Sequence, residues 1–249
     1  MSLRARLAEA QIAVMLLTRL PAGRIPGTAP GMGASAWAWP LAGFLVGGLS
    51  AMGFAGAAVL GLPVMVAALL AVAVAMLATG GMHEDGLADL ADGCGGRDRA
   101  RKLEIMRDSR IGSYGVLALL IVVGLRVAAM AELATPHLVV PALIGLAMVS
   151  RAGLALWLAV LPPARDDGLG RSAAQVRPVG IAVALIAGLA GMVALLGAGG
   201  LVLALVVLAA GALVALFAMR QIGGQTGDVL GAIQQLSEVA GWLALLVLV

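Results

Sequence analysis

The sequence predicts an all-α fold: a polytopic bundle of about seven transmembrane helices, preceded by an amphipathic helix at the N-terminus. Three observations carry this. Hydrophobic residues fill 62% of the 249 positions and charged residues only 12%, about half the charged share of a soluble domain. Mean hydropathy is +1.07. Apolar stretches long enough to cross the hydrocarbon of a bilayer, roughly 20 residues, recur along the whole chain.

The elements follow in order. Residues 2–20, with Arg4, Arg6 and Arg19 around an apolar run, read as an amphipathic helix lying on the membrane surface. Apolar spans follow at 35–61, 63–82, 113–132, 137–161, 178–197 and 200–219. A seventh, at 232–249, is weaker, because Gln234, Gln235, Ser237 and Glu238 stand at its start. Pro63, Pro136, Pro141 and Pro178 fall at or near span boundaries, where proline is tolerated. The 35 glycines suit close helix packing in lipid, since small residues let backbones approach. The whole chain, 1–249, reads as one integral membrane domain.

Orientation comes from the basic residues. Arg4, Arg6, Arg19 and Arg24 lie before the first span, Arg97 to Arg110 after the second, Arg165, Arg171 and Arg177 after the fourth, and Arg220 after the sixth. The alternate loops near 62, 134 and 199 carry no Lys or Arg. The positive-inside rule therefore places the N-terminus and the three long loops (near 83–112, 162–177 and 220–235) in the cytoplasm. The net charge of +3 and the pI near 10.0 are explained by this topology, so no nucleic-acid partner is expected. Lone Cys94 excludes an intrachain disulfide framework and a multi-cysteine metal site. Residues 2–24 do not read as a cleavable signal peptide. Arg126 and Arg151 lie inside spans, where an arginine either pairs with a carboxylate or faces a ligand.

Chemistry concentrates in three segments. His83-Glu84-Asp85-Gly86-Leu87-Ala88-Asp89-Leu90-Ala91-Asp92-Gly93 follows the second span. Asp85, Asp89 and Asp92 are spaced i, i+4, i+7, which stacks three carboxylates on one helix face. A divalent cation relieves their repulsion, and all-oxygen ligation selects Mg²⁺ or Mn²⁺ over zinc; a solvated helix cap is the plainer alternative. His83 is either a general base, a residue orienting Asp85, or a hydrogen-bonded interface histidine. The second segment, Asp108-Ser109-Arg110-Ile111-Gly112, combines an acid, a hydroxyl, a base and a glycine at the mouth of the third span. Such a turn offers a metal ligand and a phosphate clamp. For Arg97, Arg99 and Arg101, simple membrane anchoring is the expectation. The third segment, Gly223-Gly224-Gln225-Thr226-Gly227-Asp228, is a glycine-rich turn able to point amides at a phosphate, with Asp228 as a further metal ligand. Arg165, Asp166, Asp167 and Arg171 read as a solvated charged loop. Together the segments describe an acidic, metal-binding site flanked by phosphate-binding groups, and hence a diphosphate substrate. No Walker loop, dinucleotide fingerprint or serine elbow is present, so ATP-driven and NAD chemistry have no support.

These residues resemble the cobalamin synthase (adenosylcobinamide-GDP ribazoletransferase) family. The resemblance runs from Leu17-Thr18-Arg19-Leu20-Pro21 and Pro40-Leu41-Ala42-Gly43, through the His83–Gly93 and Ile105–Gly112 motifs, to Gly223–Asp228. Leu16 and Leu90 depart mildly from the family pattern and remove no charged group. The resemblance implies a Mg²⁺-dependent, multi-pass transferase of the cell inner membrane with its active site facing the cytoplasm. Adenosylcobinamide-GDP would react with α-ribazole, or its 5′-phosphate, to give adenosylcobalamin, or its phosphate, and GMP. Carried onto this chain, His83, Asp85, Asp89 and Arg110 would be catalytic. Asp85, Asp89, Asp92, Asp108 and Asp228 would hold one or two Mg²⁺. Arg19, Ser109, Arg110, Arg151, Gly223, Gly224 and Thr226 would bind phosphate. The lipid bilayer is the other partner, and an oligomer stays open.

Two rival readings remain at this level. CDP-alcohol phosphotransferases and aspartate-rich prenyltransferases also use spaced aspartates, but the Ala-Arg that follows Asp-Gly in the former is absent here, where Asp89 follows Ala88, and the latter lack the second and third segments. A transporter would use Arg126 and Arg151, but its ion site would lie mid-membrane rather than at a mouth.

Overall fold

The computed structural model describes residues 2–165 and 176–249 and is helical almost throughout. Asp166, Asp167 and Arg171 lie outside the described residues. Ten α-helices and one 3-10 segment are described: α1 Leu3–Leu17, the 3-10 segment Met32–Ala38, α2 Trp39–Val59, α3 Val64–Thr79, α4 Met82–Gly93, α5 Arg99–Ile105, α6 Ser113–Leu133, α7 Pro136–Val160, α8 Pro178–Leu196, α9 Gly199–Ile222 and α10 Gly227–Leu248. Six of them, the first being α2 with its 3-10 lead-in, are long and apolar enough to cross a membrane. The bent pair α3–α4 brings the number to seven if it counts as one crossing. The architecture is that of a multi-pass helical bundle, as the hydropathy pattern predicts.

Small residues set the closest helix contacts. A Cβ on Gly43 of α2 would fall 2.3 Å from the Ala147 carbonyl oxygen of α7, so the two backbones touch. Pro141, inside α7, leaves that helix continuous from Pro136 to Val160.

α1 differs from the amphipathic pattern expected of it. It buries Glu9, Ala13 and Leu17 against the bundle and turns Leu3, Leu7 and Met15 outward. Glu9 is sheltered because its carboxylate accepts hydrogen bonds from Arg6 Nη1 (2.9 Å) and Trp37 Nε1 (2.8 Å).

The last helix also differs from expectation. It begins at Gly227, five residues before the predicted start, with Thr226 as its N-cap. Gln234, Gln235, Ser237 and Glu238 therefore lie well inside it, and all four are buried. They complete a polar network in the bundle. Arg126 of α6 donates to Glu238 Oε1 (2.7 Å) and Gln235 Oε1 (3.0 Å). Ser150 of α7 donates to Glu238 Oε2 (3.2 Å), as does Gln234, and Arg151 Nη1 lies 3.8 Å from the same carboxylate. Gln235 Nε2 donates to Glu84 Oε1 (3.0 Å), and Arg126 lies 3.9 Å from that oxygen. Two arginines and two glutamates thus balance inside an apolar bundle, where neither sign would be tolerated alone.

Candidate active site

The site is built around α4, and α4 exists as a separate helix because of the elbow before it. Gly80 and Gly81 both adopt left-handed conformations (φ +70° and +71°). Two such residues in succession stop α3, and only glycine adopts them without a Cβ clash. The chain then turns through 92° into α4. Arg19 closes over this corner: its amide donates to the Ala78 carbonyl (2.7 Å), and its side chain occupies the space a Cβ on Gly80 would need. Arg19, the phosphate-binding candidate of the resemblance, thus lies exposed at the elbow that leads into α4.

α4 carries the expected stack. Asp85, Asp89 and Asp92 fall within one helix, Asp85 exposed and the other two half-buried. α10 crosses α4 so closely that a Cβ on Gly86 would meet the Asp228 carbonyl oxygen at 2.8 Å and its Cα at 2.9 Å. This crossing delivers Asp228 to the α4 carboxylates: Asp85, Asp92 and Asp228 are all near enough for their charges to act on Asp89, with Arg165 the cation opposing them. Arg165 Nη2 lies 3.6 Å from Asp228 Oδ2. Among the described residues, no three His, Cys, Asp or Glu side chains converge closely enough to enclose a metal ion. Replacing Gly86 with Ala is expected to lower turnover on the order of 10²-fold by prising α10 and its aspartate from α4. Gly56→Ala, where a Cβ meets nothing within 4 Å, should leave turnover unchanged. Equal activities in the two variants would show that this crossing does not set the site.

Asp92 has a structural duty as well. Its Oδ2 accepts from the Gly112 amide (2.7 Å) and its Oδ1 from the Gly115 amide (2.9 Å). α6 starts at a glycine with no side-chain cap of its own, and Asp92 supplies the missing acceptor from another helix. This bond docks the turn 108–112 beside the aspartate helix. On that turn Arg110 folds back onto Asp108, with Nη2 2.6 Å from Oδ2 and Nε 3.1 Å from Oδ1. The Arg110 guanidinium holds the Asp108 carboxyl down to about 2. Asp108, Arg110, Asp92, Arg101 and Tyr114 line a polar groove of about 250 Å³. Ser109 is exposed on the same turn.

The glycine-rich segment is held by partners within the protein. Gly223 caps α9 in a left-handed conformation (φ +75°), its amide bonded to the Met219 carbonyl. Gln225 donates its amide to the Pro162 carbonyl (2.8 Å), and the Gln225 carbonyl accepts from the Ala164 amide (2.9 Å). A Cβ on Gly224 would fall 2.1 Å from the Pro162 oxygen. Thr226 is buried and caps α10, accepting from the Val229 amide (3.2 Å) and donating to Asp228 Oδ2 (3.2 Å). The segment thus positions Asp228 and α10, with the Gly223 and Gln225 amides already occupied.

Arg99 ties these loops together, a duty the sequence reading, which assigned it to anchoring, missed. Its Nε donates to the Ile222 carbonyl (2.7 Å) and its Nη2 to the Ala164 carbonyl (2.7 Å), clipping two loops at once. The sequence signal was its place in a basic run just after the glycine-rich stretch Gly93–Gly96. Arg99→Gln is expected to raise KM about tenfold while changing kcat less, because charged hydrogen bonds that order two loops are lost. A kcat loss at unchanged KM would contradict that positioning role.

His83 and Arg151 are placed differently from Asp85. His83 lies two residues before Asp85 and so points to the other side of α4. It is 2% exposed, neither ring nitrogen has a hydrogen-bond partner, and it lines a cavity of about 70 Å³ with Leu16, Trp39, Leu154 and Gly231. Arg151, 2% exposed, sits in the buried network beside Glu238.

Comparison with known proteins agrees with the motif pattern. Adenosylcobinamide-GDP ribazoletransferase of Bradyrhizobium diazoefficiens is 48% identical over 236 residues, covering 94% of this chain and 91% of the relative. The enzyme of that name from Mesorhizobium japonicum is 44% identical, with 93% and 90% covered. That of Azorhizobium caulinodans is 47% identical, with 85% and 83% covered. No solved structure matches the chain. The profile of the cobalamin-5-phosphate synthase family matches residues 9–246, nearly the full length, and the chain belongs to that family.

Proposed function

We propose that this protein is a Mg²⁺-dependent adenosylcobinamide-GDP ribazoletransferase of the cell inner membrane, acting on the cytoplasmic side. The observation that carries the reading is the docking of three separate motifs at one end of the bundle. Asp85 and Asp89 on α4, Asp228 on α10 and the Asp108–Arg110 turn are brought side by side by the Gly86 crossing and the Asp92 cap. The family membership and the names of the relatives support the same activity.

In this reading, the ribose hydroxyl of α-ribazole, or of its 5′-phosphate, attacks the phosphorus that bears the cobinamide arm. The new P–O bond joins ribazole to that phosphorus, the bond to the bridging oxygen breaks, and GMP leaves with that oxygen. The hydroxyl proton passes to a carboxylate of the α4–α10 cluster. Asp85, Asp89 and Asp228 carry the oxygen donors that a hard divalent cation takes, and substrate phosphate would complete a set that the side chains alone do not enclose. Mg²⁺ characteristically takes one or two carboxylates together with substrate phosphate and water, so these aspartates would hold it against the diphosphate, where it neutralises charge on the leaving group. Arg110, exposed and adjacent, can swing from Asp108 to a phosphoryl oxygen, and Arg165 can exchange Asp228 for substrate in the same way.

Purified protein in detergent, given adenosylcobinamide-GDP and α-ribazole, tests this. Mg²⁺-dependent release of GMP, matched mole for mole by corrinoid product, is the expected result. Absence of both from folded, reconstituted protein would overturn the assignment.

A further inference from the structure

His83 is a buried polar group that the fold leaves unsatisfied: neither ring nitrogen meets a hydrogen-bond partner. A neutral imidazole carries one N–H donor and one acceptor, and leaving them unpaired away from water is costly. The nearby ion network does not relieve it, since Glu84 and Glu238 are engaged with Gln235 and Arg126. The ring instead lines the cavity of about 70 Å³, whose other walls are apolar: Leu16, Leu17, Trp39, Leu154, Leu158 and Leu230. Trp39 already donates its indole N–H to Ser35 Oγ (3.1 Å). Among the residues lining the cavity, His83 is therefore the one side chain with hydrogen-bonding capacity to spare.

The cavity shares two helices with the aspartate cluster. α10 packs on α4 at two glycines: Gly86 meets Asp228, and a Cβ on Gly231 would fall 3.2 Å from the His83 Cα. Gly227 and Met82 also line the cavity, and both are exposed. Gly227 immediately precedes Asp228, so a ligand entering there has its inner end at His83 and its outer end beside that aspartate. Such walls call for an apolar ring with one polar atom for the imidazole. Of the groups brought together by the proposed reaction, guanine carries donors and acceptors along its edges, and the corrin is far too large. The methylated benzimidazole of α-ribazole is apolar across its fused ring and keeps one free ring nitrogen. A volume of about 70 Å³, room for roughly two waters, takes one edge of that bicycle. Met32 and Met82, unbranched and adaptable side chains, would flank the remainder.

Resting on that reading of the activity, we propose that the His83 cavity seats the aromatic base of the acceptor nucleoside. His83 donates to the free ring nitrogen, Trp39 and the leucines cover the fused ring, and the ribose passes Gly227 toward Asp228. His83 thereby selects the base and aims the sugar hydroxyl at the aspartates.

Calorimetric titration of the purified protein with α-ribazole, with and without adenosylcobinamide-GDP and with Mg²⁺ withheld, tests the proposal. His83→Phe keeps the bulk of the ring and removes its hydrogen bond. It should weaken α-ribazole binding about tenfold, with the melting midpoint unchanged or higher, because an unpaired polar group is gone. A histidine serving only the fold would give the reverse, a lower midpoint at unchanged affinity. Leu16→Trp, at a half-buried position of α1, adds bulk to the cavity. It should weaken α-ribazole at least as much while keeping the affinity for adenosylcobinamide-GDP. Unchanged α-ribazole affinity in both variants, with wild-type protein active in GMP release, would overturn the base site and leave the activity standing. Wild-type protein that neither binds α-ribazole nor releases GMP would overturn both.

Discussion

Asp89→Asn is expected to lower turnover by at least on the order of 10³-fold, and Asp85→Asn by a similar factor, with membrane insertion and detergent-state melting unchanged. The argument is electrostatic. Asp89 sits half-buried among Asp85, Asp92 and Asp228, with Arg165 as the opposing cation. A protein gains nothing in stability from gathering like charges, so removing one should leave the fold intact or slightly steadier. What would be lost, on the proposed function, is negative charge that would draw Mg²⁺ to the diphosphate. The checking measurement is GMP release across a Mg²⁺ titration, paired with a thermal melt. Near-wild-type turnover in either purified variant would refute the metal assignment. Asp92→Asn should behave otherwise, losing stability as well as activity, since its two oxygens cap α6 through Gly112 and Gly115.

The second large effect concerns stability. Glu238→Ala is expected to destabilise the protein by roughly 3–5 kcal/mol, because it strands a buried cation. Arg126 is 3% exposed and loses its 2.7 Å partner, while Arg151 loses the carboxylate 3.8 Å away. Only Glu84 remains to offset two guanidiniums, and it lies 3.9 Å from Arg126. The double variant Glu238→Gln/Arg126→Gln should recover much of the loss, since it removes one charge of each sign. Yield of monodisperse protein in detergent and the midpoint of thermal unfolding are the readouts. A melt of Glu238→Ala within about 1 kcal/mol of wild type would show that the network is solvated and not structural. Glu84→Gln should cost stability as well, since it too leaves two guanidiniums against one carboxylate, and should lower turnover because Glu84 moors the aspartate helix to α10 through Gln235 (3.0 Å).

Much of this was legible in the chain, and what was not has physical reasons. Hydropathy located the spans because lipid demands a long apolar run whatever the packing. The i, i+4, i+7 spacing placed Asp85, Asp89 and Asp92 on one helix because that geometry is local. The 92° turn at Gly80–Gly81 was not readable, since a glycine pair permits a corner without setting its direction. Asp92 shows a second limit. Ligand and cap use the same carboxylate, and the choice depends on amides 20 and 23 residues away. Gln234, Gln235, Ser237 and Glu238 misled most. A polar run weakens a hydropathy window at the point where buried partners await it, and those partners, Arg126 and Ser150, come from other helices.

The buried ion network also orders the birth of the protein. Synthesis runs from the N-terminus, so Glu84 is made before Arg126, and Arg126 enters the bilayer with an acid already available. Arg151 then shares that acid, and its paired carboxylate arrives only with Glu238 on the final helix. Until that helix is in place, two guanidiniums face one carboxylate inside the bundle. The last helix therefore closes the charge balance of the bundle as well as its packing.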